Sequence, residues 1–135
     1  MSKMIELDGL LEEKAALLRG MLAETKKIGE LLLGRDLEGL NGAVAARQAC
    51  IEKIDAVDRR ADACAKGGAA ASGRPMKEIR ALLGEILDAD SANMKAAGEI
   101  TITLMNGIKE VNAEKNLLKY HQTMRSGSRF VNREG

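Results

Sequence analysis

Aromatic side chains are almost missing from this chain. Its 135 residues include no tryptophan, one tyrosine and one phenylalanine. Tyr120 and Phe130 both lie in the last sixteen positions. Any core before them must be built from Leu, Ile, Val, Met and Ala. Aromatic residues usually anchor binding surfaces, because they bury large area at low conformational cost. The two present here are therefore expected to serve recognition near the C-terminal end. Histidine is equally scarce: His121, beside the tyrosine, is the only one. With no Ser–His–Asp or Cys–His grouping there is no triad, and an enzyme is not expected. No apolar run approaches the roughly eighteen residues of a membrane span. The longest strongly hydrophobic run is Leu31-Leu32-Leu33. The start, Met-Ser-Lys-Met-Ile-Glu-Leu-Asp, lacks the apolar stretch of a signal peptide. The net charge of +1 gives no global pull toward nucleic acid or an anionic membrane.

Other chemistries fail on spacing. Cys50 and Cys64 are two heptads apart, about 21 Å along a helix, too far for a disulfide within it. They read as small core residues of a reducing cytosol. No further ligands stand near them in sequence to complete a metal site. Gly34-Arg-Asp-Leu-Glu-Gly39 has glycines at phosphate-loop spacing, but Leu40 and Asn41 stand where Lys and Ser/Thr are required. Asp88-Ala-Asp90 begins like a calcium loop, yet Ala92 and Asn93 occupy its fifth and sixth positions. Glu12-Glu13 reads as a solvated helix face. No cofactor is expected.

What remains is helical patterning, in a composition 45% hydrophobic and 30% charged that suits a soluble helical protein. Met4, Leu7, Leu11, Leu18, Met21, Ile28 and Leu32 follow the alternating three-four spacing of a coiled coil or bundle. Lys14 and Thr25 interrupt that seam, and Leu10, Leu17, Leu22 and Leu31 widen it. This predicts a first helix over 4–33. Gly34 supplies a stop and Asp36 an N-cap for a second helix over 37–65, so the two form an antiparallel hairpin. Leu40, Val44, Ile51, Ile54, Val57, Ala61 and Cys64 carry the second stripe. Gly39 and Gly42 weaken its start or permit close packing. Lys66-Gly-Gly-Ala-Ala-Ala-Ser-Gly-Arg74 reads as a flexible linker.

Pro75 suits the first turn of a third helix over 75–125. Met76, Ile79, Leu83, Ile86, Met94, Ala97, Thr101, Leu104, Ile108, Val111 and Leu118 keep helical spacing along it. The polar stretch Asp88-Ala-Asp-Ser-Ala-Asn93 marks a candidate break, as do Gly84, Gly98 and Gly107. Ser126-Gly127-Ser128 reads as the stop, leaving 126–135 as a short tail. The expected fold is all-α: an antiparallel hairpin plus a long third helix, a three-helix, coiled-coil-like bundle in one domain. A third helix longer than its partners has apolar surface to offer something else.

The tail region also holds Lys115, Lys119, Arg125, Arg129 and Arg133, with Tyr120 and Phe130 among them. Cations with stacking aromatics suit single-stranded nucleic acid. Glu110, Glu114 and Glu134 dilute that charge and no recognition motif is present, so no nucleic acid partner is expected.

Three segments together carry a family resemblance. The Leu/Glu/Lys-rich first helix runs into Leu32-Leu-Gly-Arg-Asp-Leu-Glu-Gly-Leu40. Ala46-Arg-Gln-Ala-Cys-Ile-Glu-Lys53 follows in the second helix. A long apolar helix then passes Asn106-Gly107 and Tyr120 to end on Arg129-Phe-Val-Asn-Arg133. Over nearly its whole length the chain resembles the FlgN-type flagellar export chaperones, and less closely the FliT type. FlgN-like chains show a Gly-Asp-Leu-Glu-x-Leu turn, here with Arg35 inserted between Gly34 and Asp36, and a basic-acidic repeat where residues 46–53 stand.

The resemblance implies a cytoplasmic chaperone without ATPase activity. Its clients would be hook-filament junction proteins, bound through their helical C-terminal regions, kept unassembled and brought to a membrane export-gate protein. A tyrosine of the C-terminal helix contacts the gate in such families, and Tyr120 is the match here. A client helix would lie on Leu104, Met105, Ile108, Val111, Leu117 and Leu118, with Phe130 and Val131 as a short recognition segment of the tail. Two alternatives stand beside this: a structural or regulatory coiled-coil protein that forms a homodimer through its third helix, and a FliT-like chaperone for the filament cap.

Overall fold

The computed structural model describes residues 2–68, 70 and 73–134, with side chains over 4–68, 70 and 73–124. Three helices follow in order: α1 (Ser2–Gly34), α2 (Leu37–Lys66) and α3 (Gly73–Glu134). There is no strand among the described residues. The chain forms two compact units, Met1–Ala97 and Gly98–Gly135. In the first, α1, α2 and the opening part of α3 pack as a three-helix bundle.

The seam of α1 is the spine of this bundle. Leu7, Leu10, Leu11, Ala15, Leu18 and Leu22 are buried in one cluster with Ile54, Val57 and Ala61 of α2 and Ile79, Leu82 and Ile86 of α3. Leu18 is only 2% exposed. The two interruptions of the seam are accommodated by different means. Lys14 reaches sideways to Asp58, Nζ to Oδ1 2.8 Å. Thr25 is wholly buried and its hydroxyl donates to the Met21 carbonyl at 2.7 Å, satisfying itself within its own helix.

Two expected core positions fall one residue away. Ala43 is buried where Val44 was expected, and Val44 is 49% exposed. Leu82 is buried where Leu83 was expected. In both cases two adjacent apolar residues fit the spacing equally well, and only the approach of the neighbouring helix selects between them.

The hairpin turn also differs by one residue. Gly34 remains in α1, and Arg35 takes the left-handed conformation at φ 54°. The Asp36 amide bonds to the Leu31 carbonyl at 3.1 Å and the Arg35 amide to that of Leu32 at 3.2 Å, the Schellman pattern of a helix end. Asp36 caps α2 as expected, its carboxylate accepting from the Gly39 amide at 2.9 Å. Gly39 leaves room here: a Cβ on it would stand 2.7 Å from Leu31 Cδ2 and 2.6 Å from Asp36 Oδ2, so those side chains would have to shift. Gly42 has nothing within 4 Å of such a Cβ and serves no close packing.

The polar stretch at Asp88–Asn93 is not a break. Asp90 accepts two bonds from the Arg47 guanidinium, at 2.5 and 2.8 Å. Asn93 donates to the Thr25 carbonyl at 2.8 Å. Gly29 makes room for it, since a Cβ there would lie 2.6 Å from Asn93 Oδ1. Arg19 pairs with Glu78 at the other end of the same interface. These residues pair α3 with both hairpin helices, so their polarity is spent in contacts rather than in a loop. Gly67 caps α2 and Gly68 turns the chain at φ 94°. Residues 69, 71 and 72 of the expected linker lie outside the described residues.

Nor do Ser126-Gly127-Ser128 end α3, which continues to Glu134 where a tail was expected. A glycine inside a helix costs about 1 kcal/mol, which the hydrogen bonds of a long helix absorb.

The left-handed Arg35 carries a penalty that glycine would not. Arg35→Gly is expected to raise the unfolding free energy by about 0.5–1 kcal/mol, net of glycine's greater freedom in the unfolded chain. Denaturant titration checks this as a higher midpoint at unchanged slope, and a lower midpoint would contradict it. Leu18→Ala is expected to lose about 3 kcal/mol in the same titration, the usual cost of emptying a fully packed leucine site.

Candidate functional site

The second unit is a single stretch of α3. Every described residue from Thr101 to Met124 is exposed, although apolar residues recur along it at helical spacing. Ile102, Leu104, Met105, Ile108, Val111, Leu117, Leu118, Tyr120 and Met124 each leave half or more of their surface in water. Such exposed apolar side chains are the feature of this unit that needs an account.

Helical geometry sorts these side chains into two groups. At 100° per residue, Leu104, Ile108, Val111 and Leu118 fall within an arc of about 80°. Met105 stands about 100° round from Leu104. Ile102, Leu117, Tyr120 and Met124 gather on the opposite side, in an arc of about 60°. The expected client set is therefore not one surface. Leu117 belongs with Tyr120, spaced three and then four residues from Tyr120 and Met124, and faces away from Leu104, Ile108, Val111 and Leu118. The side chains of Phe130 and Val131 lie outside the described residues.

A shallow depression runs along the first face. Thr103, Leu104, Gly107, Ile108, Val111, Asn112 and Lys115 line it. Gly107 forms one side of it, where an added Cβ would meet nothing within 4 Å. The depression was not legible in the sequence, where Gly107 read as a candidate bend. The usable signal is a lone glycine flanked at −3, +1 and +4 by large aliphatic residues.

Tyr120 is 62% exposed. Its ring meets that of His121 edge-on, with centroids 6.4 Å apart and planes at 70°, within the range of a favourable aromatic pair. Thr103 and Thr123 each turn their hydroxyl back to the carbonyl four residues earlier, Glu99 at 3.0 Å and Lys119 at 2.9 Å, so neither offers that proton to a partner.

Elsewhere the described residues hold no group of three or more His, Cys, Asp or Glu placed to bind a metal ion. Cys50 and Cys64 are both half-buried, the Cys50 Sγ lying over Gly20, 3.7 Å from where a Cβ on that glycine would be. No described helix is long and apolar enough to cross a membrane. The chain matches no protein-family model, no curated protein sequence and no solved structure.

Exposure separates this stripe from the core by a direct test. Ile108→Ser is expected to leave the unfolding free energy within about 0.5 kcal/mol of the parent, as for surface positions generally. A loss comparable with that of Leu18→Ala would show that Ile108 is packed in the free protein.

Proposed function

We propose that this chain is a cytoplasmic, ATP-independent export chaperone of the FlgN type, which holds the C-terminal helix of a flagellar hook-filament junction protein on α3 and hands it to the export gate. One observation carries the reading: an aliphatic stripe of coiled-coil spacing, Leu104, Ile108, Val111 and Leu118, leaves half or more of its surface in water. An amphipathic client helix laid along it would bury both apolar faces, the usual mode of helix recognition. The family resemblance supplies the identity of the client.

The two-sided arrangement supports a division of labour. The client would occupy the Leu104–Leu118 face, and the gate the face carrying Leu117, Tyr120 and Met124. Opposed faces let both partners bind one helix at once, so delivery needs no prior release of the client. A second reading is favoured by the same spacing: two copies of α3 pairing as a coiled coil, in a structural or regulatory protein.

The two are separated by a pull-down from the native cytosol with the parent protein and with Tyr120→Ala, followed by identification of what is bound. Junction subunits are expected on both baits, and an export-gate protein on the parent alone. Should neither bait hold a flagellar component while the protein elutes as a tight dimer, the chaperone assignment falls and the self-pairing scaffold replaces it.

A further inference from the structure

Helices that pack knobs into holes use holes bounded by residues i, i+3, i+4 and i+7. Leu104, Gly107, Ile108 and Val111 bound one such hole. Ile108, Val111, Asn112 and Lys115 bound the next. The depression on α3 is these two holes run together, with Thr103 at its edge. The two differ in chemistry. The first is aliphatic on three sides and empty on the fourth, because Gly107 has no side chain and the space where one would stand is open. It accepts a larger knob, or a closer helix, than any other site along the stripe. The second is rimmed by an amide and an ammonium.

Lys115 falls in line with the apolar stripe, about 20° round from Leu104. It takes no part in the ion pairs or hydrogen bonds of the described residues. A helix laid on this face brings its own seam over that ammonium; an acid there pairs with it, and without one the lysine stem must bend to keep its charge in water.

We propose that this double hole selects the client: the helix it takes places a large aliphatic or methionine side chain at Gly107 and an Asp or Glu one turn away, against Lys115 and Asn112. The proposal rests on the client-binding reading of this face and specifies the partner's chemistry. A second copy of the chain fits less well. Paired parallel and in register, it sets Lys115 against its own counterpart. Paired antiparallel about Val111, it sets Lys115 over Gly107 of the copy, a cation among three aliphatic side chains with no acid opposite. An acidic seam residue removes both conflicts.

The test uses two synthetic amphipathic peptides with the same leucine-alanine heptad seam, one carrying Glu and the other Lys at a central seam position. Each is titrated by calorimetry into the full chain and into Gly107→Leu and Lys115→Glu, with sedimentation run on all three proteins. The Glu peptide is expected to bind the parent roughly tenfold more tightly than the Lys peptide, as for one close charge pair across an interface. Lys115→Glu reverses the order. Gly107→Leu weakens both peptides while far-ultraviolet circular dichroism stays unchanged, since leucine is a better helix former and the site is open. Equal affinities that ignore Gly107→Leu overturn the proposal and leave the client-binding reading standing. Failure to bind either peptide, together with a dimer that Gly107→Leu dissolves, overturns both.

Discussion

Everything in the first unit depends on one line of aliphatic contact, the face of α1 from Leu7 to Leu22. Residues from both other helices close on it, and no aromatic ring helps. Aliphatic side chains contribute roughly half the area of a tryptophan each, so stability must come from the length of the seam rather than from a single large residue. That explains a bundle of long helices with one tight turn. Aliphatic contact is also non-directional, and a leucine seam alone tolerates sliding by a turn. The polar pairs remove that freedom. Arg47 with Asp90, Asn93 with the Thr25 carbonyl, and Lys14 with Asp58 each align only in one register. Polar groups in this role act on specificity more than on stability.

The hairpin, the Asp36 cap and the three-helix architecture were legible because local signals agreed with one another. The misses share a cause. Arg35 rather than Gly34 is left-handed because the Leu31 and Leu32 carbonyls fix where the helix must end, which glycine position alone does not disclose. Asp90 and Asn93 looked like a break because their partners, Arg47 and Thr25, are distant in sequence. Ser126-Gly127-Ser128 looked like a stop because glycine propensity was weighed without the continuity of the helix around it.

The candidate site was half legible. Spacing identified the apolar positions after residue 100, but spacing is blind to exposure. Ile86 and Ile108 belong to the same pattern, yet one is 4% and the other 60% exposed. Only the fold separates a stripe that is packed from one that is left in water. The face on which each residue falls was available from helical geometry, and it divides Leu117 from Leu118. Adjacent leucines on a helix point about 100° apart, so a run of apolar residues is never one surface.

The confinement of the aromatic residues has an optical consequence. With no tryptophan in the chain and its one tyrosine exposed in the second unit, the three-helix bundle is silent in near-ultraviolet absorption and emission. Light taken up near 280 nm is taken up by Tyr120. The molecule thus carries a native reporter at one face of α3, in contact with a single imidazole and undisturbed by signals from the core. Burial of that ring changes the emission without any label, and melting of the three-helix bundle passes unrecorded.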